Sequence, residues 1–128
     1  MLRFLALLSV VFAVAHGGFG IGETVNCDFT YYNDAGFGAC GTQINAATEN
    51  LVAVAPGYWS TPNPNNDPVC RNVCIQVSYN GRSVTVPVKD KCPSCGQSHF
   101  DLSQPAFQAL APLSVGHVYG AVCTFVNC

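Results

Sequence analysis

From Cys74 to Val88 the chain reads CIQVSYNGRSVTVPV, and apolar and polar positions alternate along most of it. Ile75, Val77 and Tyr79 alternate with Gln76 and Ser78, and Val84, Val86 and Val88 alternate with Ser83, Thr85 and Pro87. A period of two turns one side of a strand to a core and the other to water. Asn80-Gly81 separates the two runs, and these residues adopt the positive φ that a two-residue hairpin turn needs. A β-hairpin is predicted here. Pro87 has no N–H to donate, so its nitrogen side is expected at an edge, a bulge or solvent.

Residues 28–32 (DFTYY) and 51–55 (LVAVA) predict two more short strands, and 117–126 a last one. Asp101-Leu102-Ser103-Gln104-Pro105 reads as a helix start, with Ser103 at the N-cap and Pro105 in the first turn. Phe107 and Leu110 then share one helix face, and Pro112 stops the helix. STPNPNNDP at 60–68 is a turn-rich loop, too short to join two domains. Repeats and low-complexity tails are absent from the sequence. The pattern is that of a compact all-β domain with one short helix.

The N-terminus changes the picture of the compartment. Met1-Leu2-Arg3 is a cationic start, Phe4 to Val14 is apolar except for Ser9, and Ala13-Val14-Ala15 is a small-x-small cleavage pattern. The run is about half the roughly 20 residues that a membrane span requires. Residues 1–15 are therefore expected to be a signal peptide and 16–128 a single exported domain, secreted and extracellular, with no membrane anchor. Charged residues make up only 9% of the chain and the formal net charge is −2, which excludes the basic footprint of a nucleic-acid binder. A surface so poor in charge is rich in amides and hydroxyls, which suits hydroxyl-rich partners. A monomer is expected.

All eight cysteines (Cys27, Cys40, Cys70, Cys74, Cys92, Cys95, Cys123 and Cys128) follow the leader. An even count in a small exported domain reads as four disulfides. Cys70-x₃-Cys74 and Cys92-x₂-Cys95 have zinc-like spacing, and Cys92-x₂-Cys95 has that of a redox pair. An oxidising compartment favours disulfides over either, so no metal and no cofactor is expected. Cleavage after Ala15 would leave His16 at the N-terminus, as in copper enzymes that cleave polysaccharides, but those use another fold and a second histidine.

GRSVTVPVKDKCP (81–93) followed by HFDLSQPAFQALAPLSVG (99–116) resembles the second half of a double-psi β-barrel of the rare lipoprotein A, barwin and expansin superfamily. FTYYNDAGFGACG (29–41) is similar to the first strand and loop of the same family. The resemblance runs from about Cys27 to Cys128. It implies a six-stranded barrel with one short helix, stapled by disulfides, with a surface groove and a role on cell walls or other extracellular polymers. Cys27 on the first strand is expected to pair with Cys123 or Cys128, and Cys40 with Cys70 or Cys74.

The same resemblance nominates site residues. In expansins, aspartates matching Asp90 and Asp101 line the polysaccharide groove with a threonine matching Thr30. In family 45 endoglucanases the aspartate of the HFDL block, here Asp101, is the general acid, and Thr30-x-Tyr32-x-Asp34 resembles the pattern around the base. Asp90 or Asp34 would be that base, and inversion requires carboxyls about 6.5–9.5 Å apart. Tyr32 and Trp59 are candidate sugar-stacking aromatics. Transglycosylases of the superfamily pair the helix-start aspartate with a histidine, for which this chain has Pro56.

Each residue also has a plain structural role open to it. Asp101 suits a helix N-terminus, Asp90 a bend with free N–H groups, Asp34 a turn, and Tyr58-Trp59 a buried pair. His99 is expected in a loop and His117 in a strand, with no catalytic duty. Expansins carry a second, carbohydrate-binding domain, whereas this chain is expected to be a single-domain, loosenin-like or barwin-like protein. The leading expectation is a non-hydrolytic protein that binds wall or matrix polysaccharide through Thr30, Tyr32, Asp90, Asp101 and Trp59. The alternatives are a glycan-cleaving enzyme with Asp101 as acid, and a cysteine-protease inhibitor whose 57–68 loop acts as the wedge.

Overall fold

The computed structural model describes residues 18–128, so the proposed leader 1–15 and His16 lie outside it. Six strands close on themselves: β1 (Thr24–Tyr32), β4 (Val52–Val54), β5 (Val73–Tyr79), β6 (Arg82–Lys91), β7 (His99–Ser103) and β8 (Val118–Asn127). Around the barrel the order is β1-β7-β4-β6-β5-β8, and β8 pairs again with β1. The pairs β1/β7 and β4/β6 are parallel and the other four antiparallel. Closure leaves no barrel edge open to pairing with another chain. Two further strands, β2 (Ala35–Phe37) and β3 (Gln43–Asn45), form a small separate flap that the hydropathy pattern did not reveal.

The predicted hairpin is present as β5 and β6, with Ile75 paired to Val86 and Val77 to Val84. Asn80 (φ 51) and Gly81 (φ 78) supply the positive dihedrals of the turn. Pro87 lies opposite Cys74, and β4 begins to pair with β6 only at Val88, so its missing N–H breaks no β4 ladder bond. The strand expected at 28–32 starts four residues earlier, at Thr24. Gly120 (φ 78) accommodates an extra residue of β8 where Cys27 and Phe29 face Ala121 and Val118.

The helix, α1 (Gln104–Gln108), is short and begins after Ser103 with Pro105 in its first turn. Ser103 is the N-cap by position but does not cap: its Oγ accepts instead from the Leu51 N–H at 3.1 Å. Phe107 and Leu110 both reach the core, although the helix has ended before Leu110. Phe29 meets Phe107 edge-on at 5.3 Å inside the barrel, and Tyr58 lies 4.7 Å from Phe125. No helix among the described residues is long and apolar enough to cross a membrane.

Four disulfides staple this barrel: Cys27–Cys123, Cys40–Cys70, Cys74–Cys128 and Cys92–Cys95. The first joins β1 to β8, and the second ties the flap's connecting turn to the loop after β4. The zinc-like spacings are thus consumed as disulfides, and no cysteine is free.

The loop at 60–68 is ordered by one residue. Asp67 is 0% exposed, yet its carboxylate accepts hydrogen bonds from the N–H groups of Ser60 (2.7 Å), Thr61 (2.8 Å) and Val69 (3.1 Å) and from the Thr61 hydroxyl (3.0 Å). Burial opposes its charge, but these four donors outweigh burial and hold its pKa below the usual 3.8.

Candidate functional site

Register across the barrel brings the expected groove residues side by side. Thr30 on β1 pairs with Asp101 on β7, Asp101 pairs with Ala53 on β4, and Ala53 pairs with Asp90 on β6. Paired residues point to one face of a sheet, so Thr30, Asp101 and Asp90 lie in one row on the outside of the barrel. Asp90 and Asp101 are two strand spacings apart, about 9–10 Å between Cα positions. On the strand between them the paired residue is Ala53, and the Tyr32 hydroxyl reaches Asp90 from β1.

The two carboxylates differ in character. Asp90 is fully engaged: Oδ1 accepts from the N–H groups of Ala39 and Lys91, both at 2.9 Å, and Oδ2 accepts from the Tyr32 hydroxyl at 2.9 Å. Tyr32 is correspondingly held neutral, by burial first and by the Asp90 charge second. Asp101 accepts from the Thr30 hydroxyl at 3.0 Å. Burial raises its pKa above the usual 3.8, against the opposing pull of Thr30 and His99. Asp34 sits exposed between β1 and β2, where its charge still reaches Asp101 and Tyr32.

The aromatic expectation at Trp59 is corrected. The indole is only 9% exposed, donates Nε1–H to the Val54 carbonyl at 3.4 Å, and lies 5.6 Å beneath the Lys91 ammonium. It packs in the core and offers no free face to a sugar. Tyr58 is buried too, stacked on Phe100, with its hydroxyl donating to the Gln97 carbonyl at 2.6 Å and burial pushing its pKa up to about 12. Of the expected groove residues, Thr30, Tyr32, Asp90 and Asp101 come together and Trp59 does not.

Sequence reasoning also misplaced the histidines. His99 opens strand β7 and is not in a loop, and His117 immediately precedes β8. Both face Asp28 on β1: His99 Nδ1 is 2.8 Å and His117 Nε2 2.6 Å from the same Asp28 oxygen. His99 Nε2 continues to Thr30 at 2.8 Å, so this cluster is continuous with the groove. Only the alternation of Asp28, Thr30 and Tyr32 on one side of β1, with His99 and Asp101 on one side of β7, hinted at this in the sequence.

The fold agrees with the comparison to known proteins. A family model described as "Lytic transglycolase" matches residues 24–122. The chain belongs to this double-psi β-barrel family. It is 57% identical over 107 residues to the "Papain inhibitor" of Streptomyces mobaraensis, an alignment covering 84% of this chain and 75% of that protein. The solved structure of "Streptomyces papain inhibitor (SPI)" superposes with a TM-score of 0.84 at 55% identity, covering 85% of this chain and 99% of that one. "Expansin-like protein 1" of Dictyostelium discoideum is 33% identical over 108 residues, which is 77% of this chain and 36% of that larger protein.

Proposed function

We propose that this protein is an inhibitor of papain-like cysteine proteases. The observation that carries the reading is the 57% identity to a papain inhibitor over 84% of this chain. This promotes the reading that ranked behind polysaccharide binding on sequence grounds. The 57–68 loop suits the task physically. Its outer residues, Ser60 to Asn63, are exposed, while Asp67 and Val69 anchor its base and Cys70 is bridged to Cys40. Pro62, Pro64 and Pro68 narrow its conformations further. A segment already rigid loses little entropy on entering a protease cleft, and the lost freedom of flexible loops is a main cost of binding.

Titrating the protein into papain with a fluorogenic peptide substrate tests the proposal. Saturable loss of hydrolysis, with the inhibitor chain recovered uncut, supports it. Replacing residues 62–66 by a Gly/Ser segment of equal length is expected to relieve inhibition while the barrel still melts cooperatively. Full papain activity at every concentration of the unaltered protein would reject it.

A second reading rests on the row Thr30, Asp101 and Asp90 with Tyr32: a groove that hydrogen-bonds sugar hydroxyls without cleaving the chain. The engaged state of Asp90 supports the non-hydrolytic form, because a carboxylate holding three donors has little capacity to activate water. Four disulfides fit an exported protein of an oxidising compartment, in keeping with the leader-like N-terminus. Retention on insoluble cellulose, chitin or peptidoglycan, with reducing sugar assayed in the same tubes, separates binding from cleavage.

A further inference from the structure

We propose that Asp28, His99 and His117 form a binding site for a borderline divalent transition ion of the zinc class. Each offers one ligand atom, and the three atoms lie within 4.8 Å of one another. The ligands come from three segments fixed by the barrel. Asp28 and His99 are cross-strand partners of β1 and β7, and His117 leads into β8, which the Cys27–Cys123 disulfide joins to β1 beside Asp28. No thiolate competes, since every cysteine is paired. The side chains of Asp28, His99 and His117 are 23%, 23% and 36% exposed, open enough for an ion to enter.

The hydrogen bonds around the cluster fit the site. The Thr30 hydroxyl donates to Asp101, so its oxygen accepts from His99 Nε2–H. A neutral imidazole carries one proton, and this assignment leaves the His99 Nδ1 lone pair facing the Asp28 carboxylate at 2.8 Å. A proton shared with Asp28, or a metal ion on Nδ1, makes that contact attractive. With metal on His117 Nε2, its Nδ1 still has the Tyr119 hydroxyl 3.3 Å away, on a ring stacked against the imidazole. Both imidazoles then keep a second partner on the nitrogen remote from the ion, the arrangement that orients histidine ligands. A tetrahedral zinc ion sits about 2.0–2.2 Å from such ligands, which spaces them about 3.3 Å apart. The 2.6 and 2.8 Å contacts to Asp28 have to lengthen by about 0.5–0.7 Å to reach this. Three protein ligands leave a fourth position for water or for a donor on a binding partner.

Zinc is titrated calorimetrically into untagged protein carrying His16→Ala, which leaves His99 and His117 as the only imidazoles. One ion per chain is expected, with visible d–d absorption when cobalt(II) replaces zinc. His99→Ala and His117→Ala each abolish both signals, while Thr30→Val, which removes the outer partner of His99, weakens binding about 10–100-fold. Should the histidine variants not fold, zinc-induced shifts of the His99 and His117 ring nitrogens by NMR in the folded protein support the site, and unmoved resonances overturn it. Non-saturable uptake, or binding that survives both histidine substitutions, also overturns it. The outcome does not depend on protease inhibition.

Discussion

Two aspartates show how differently one residue type is used. Asp67 has four donors and no solvent, so Asp67→Asn places an amide NH₂ against N–H groups that have no other acceptor. Replacing such charge-assisted bonds costs about 2–3 kcal/mol, and a lowered urea midpoint checks it. Its pKa is lower folded than unfolded, so its contribution is present above pH 3.8 and fades as pH falls through the folded value. Wild-type stability is therefore expected to drop on acidification below pH 3.8 by more than that of Asp67→Asn. Asp101 is only partly buried and holds one protein donor through its Oδ1. Asp101→Asn is expected to leave the fold intact and to reduce retention on polysaccharide, with papain inhibition unchanged, because the Asp101 hydrogen bond runs to Thr30 on β1 and not to the 57–68 loop. Unchanged retention would make Asp101 structural.

At the scale of elements, two glycines are decisive. Gly81 holds φ +78 at the hairpin turn with nothing within 4 Å of a would-be Cβ, so Gly81→Ala tests backbone strain alone. A loss of about 1–2 kcal/mol is expected, read from chemical denaturation with an unchanged m-value. Gly38 is constrained by space: a Cβ there would stand 2.5 Å from the Lys89 carbonyl. Gly38→Ala is expected to lift the flap's turn from β6, loosen the Ala39 N–H bond to Asp90, and cost about 1–3 kcal/mol. Faster amide exchange at Ala39 and Cys40 is the measurement. The hairpin was legible because its alternation is regular and its turn chemistry local. The flap was not, since β2 and β3 are three residues each and one of them, Ala-Gly-Phe, has Phe37 78% exposed.

For the whole molecule, the staples differ in weight. Cys27–Cys123 spans 96 positions and Cys92–Cys95 only 3. Loop-closure entropy assigns about 4.7 kcal/mol to the long loop and about 2 kcal/mol to the short one. Paired Cys→Ser replacement is expected to lower thermal stability far more at 27/123 than at 92/95, and comparable losses would contradict the ranking. The long bridge also fixes β1 against β8, the seam along which Asp28 and His117 meet.

Period-two patterning, the Asn-Gly turn and an even cysteine count establish strands, a hairpin and a disulfide-stapled all-β domain from local chemistry alone. The resemblance of three blocks to a known family added the barrel and nominated Asp90, Asp101 and Thr30. What patterning cannot express is which outward-facing residues of different strands become neighbours, because that depends on register between strands distant in sequence. Hence Asp28 and His117, 89 positions apart, were not connected in the sequence, yet lie 2.6 Å apart in the fold. Burial of single side chains is decided the same way. Trp59, open in the sequence to either a sugar platform or a buried pair, and Asp67, in a polar, turn-rich stretch that reads as surface, are both buried in the fold. Tertiary contact alone turned one into core and the other into a hub of hydrogen bonds.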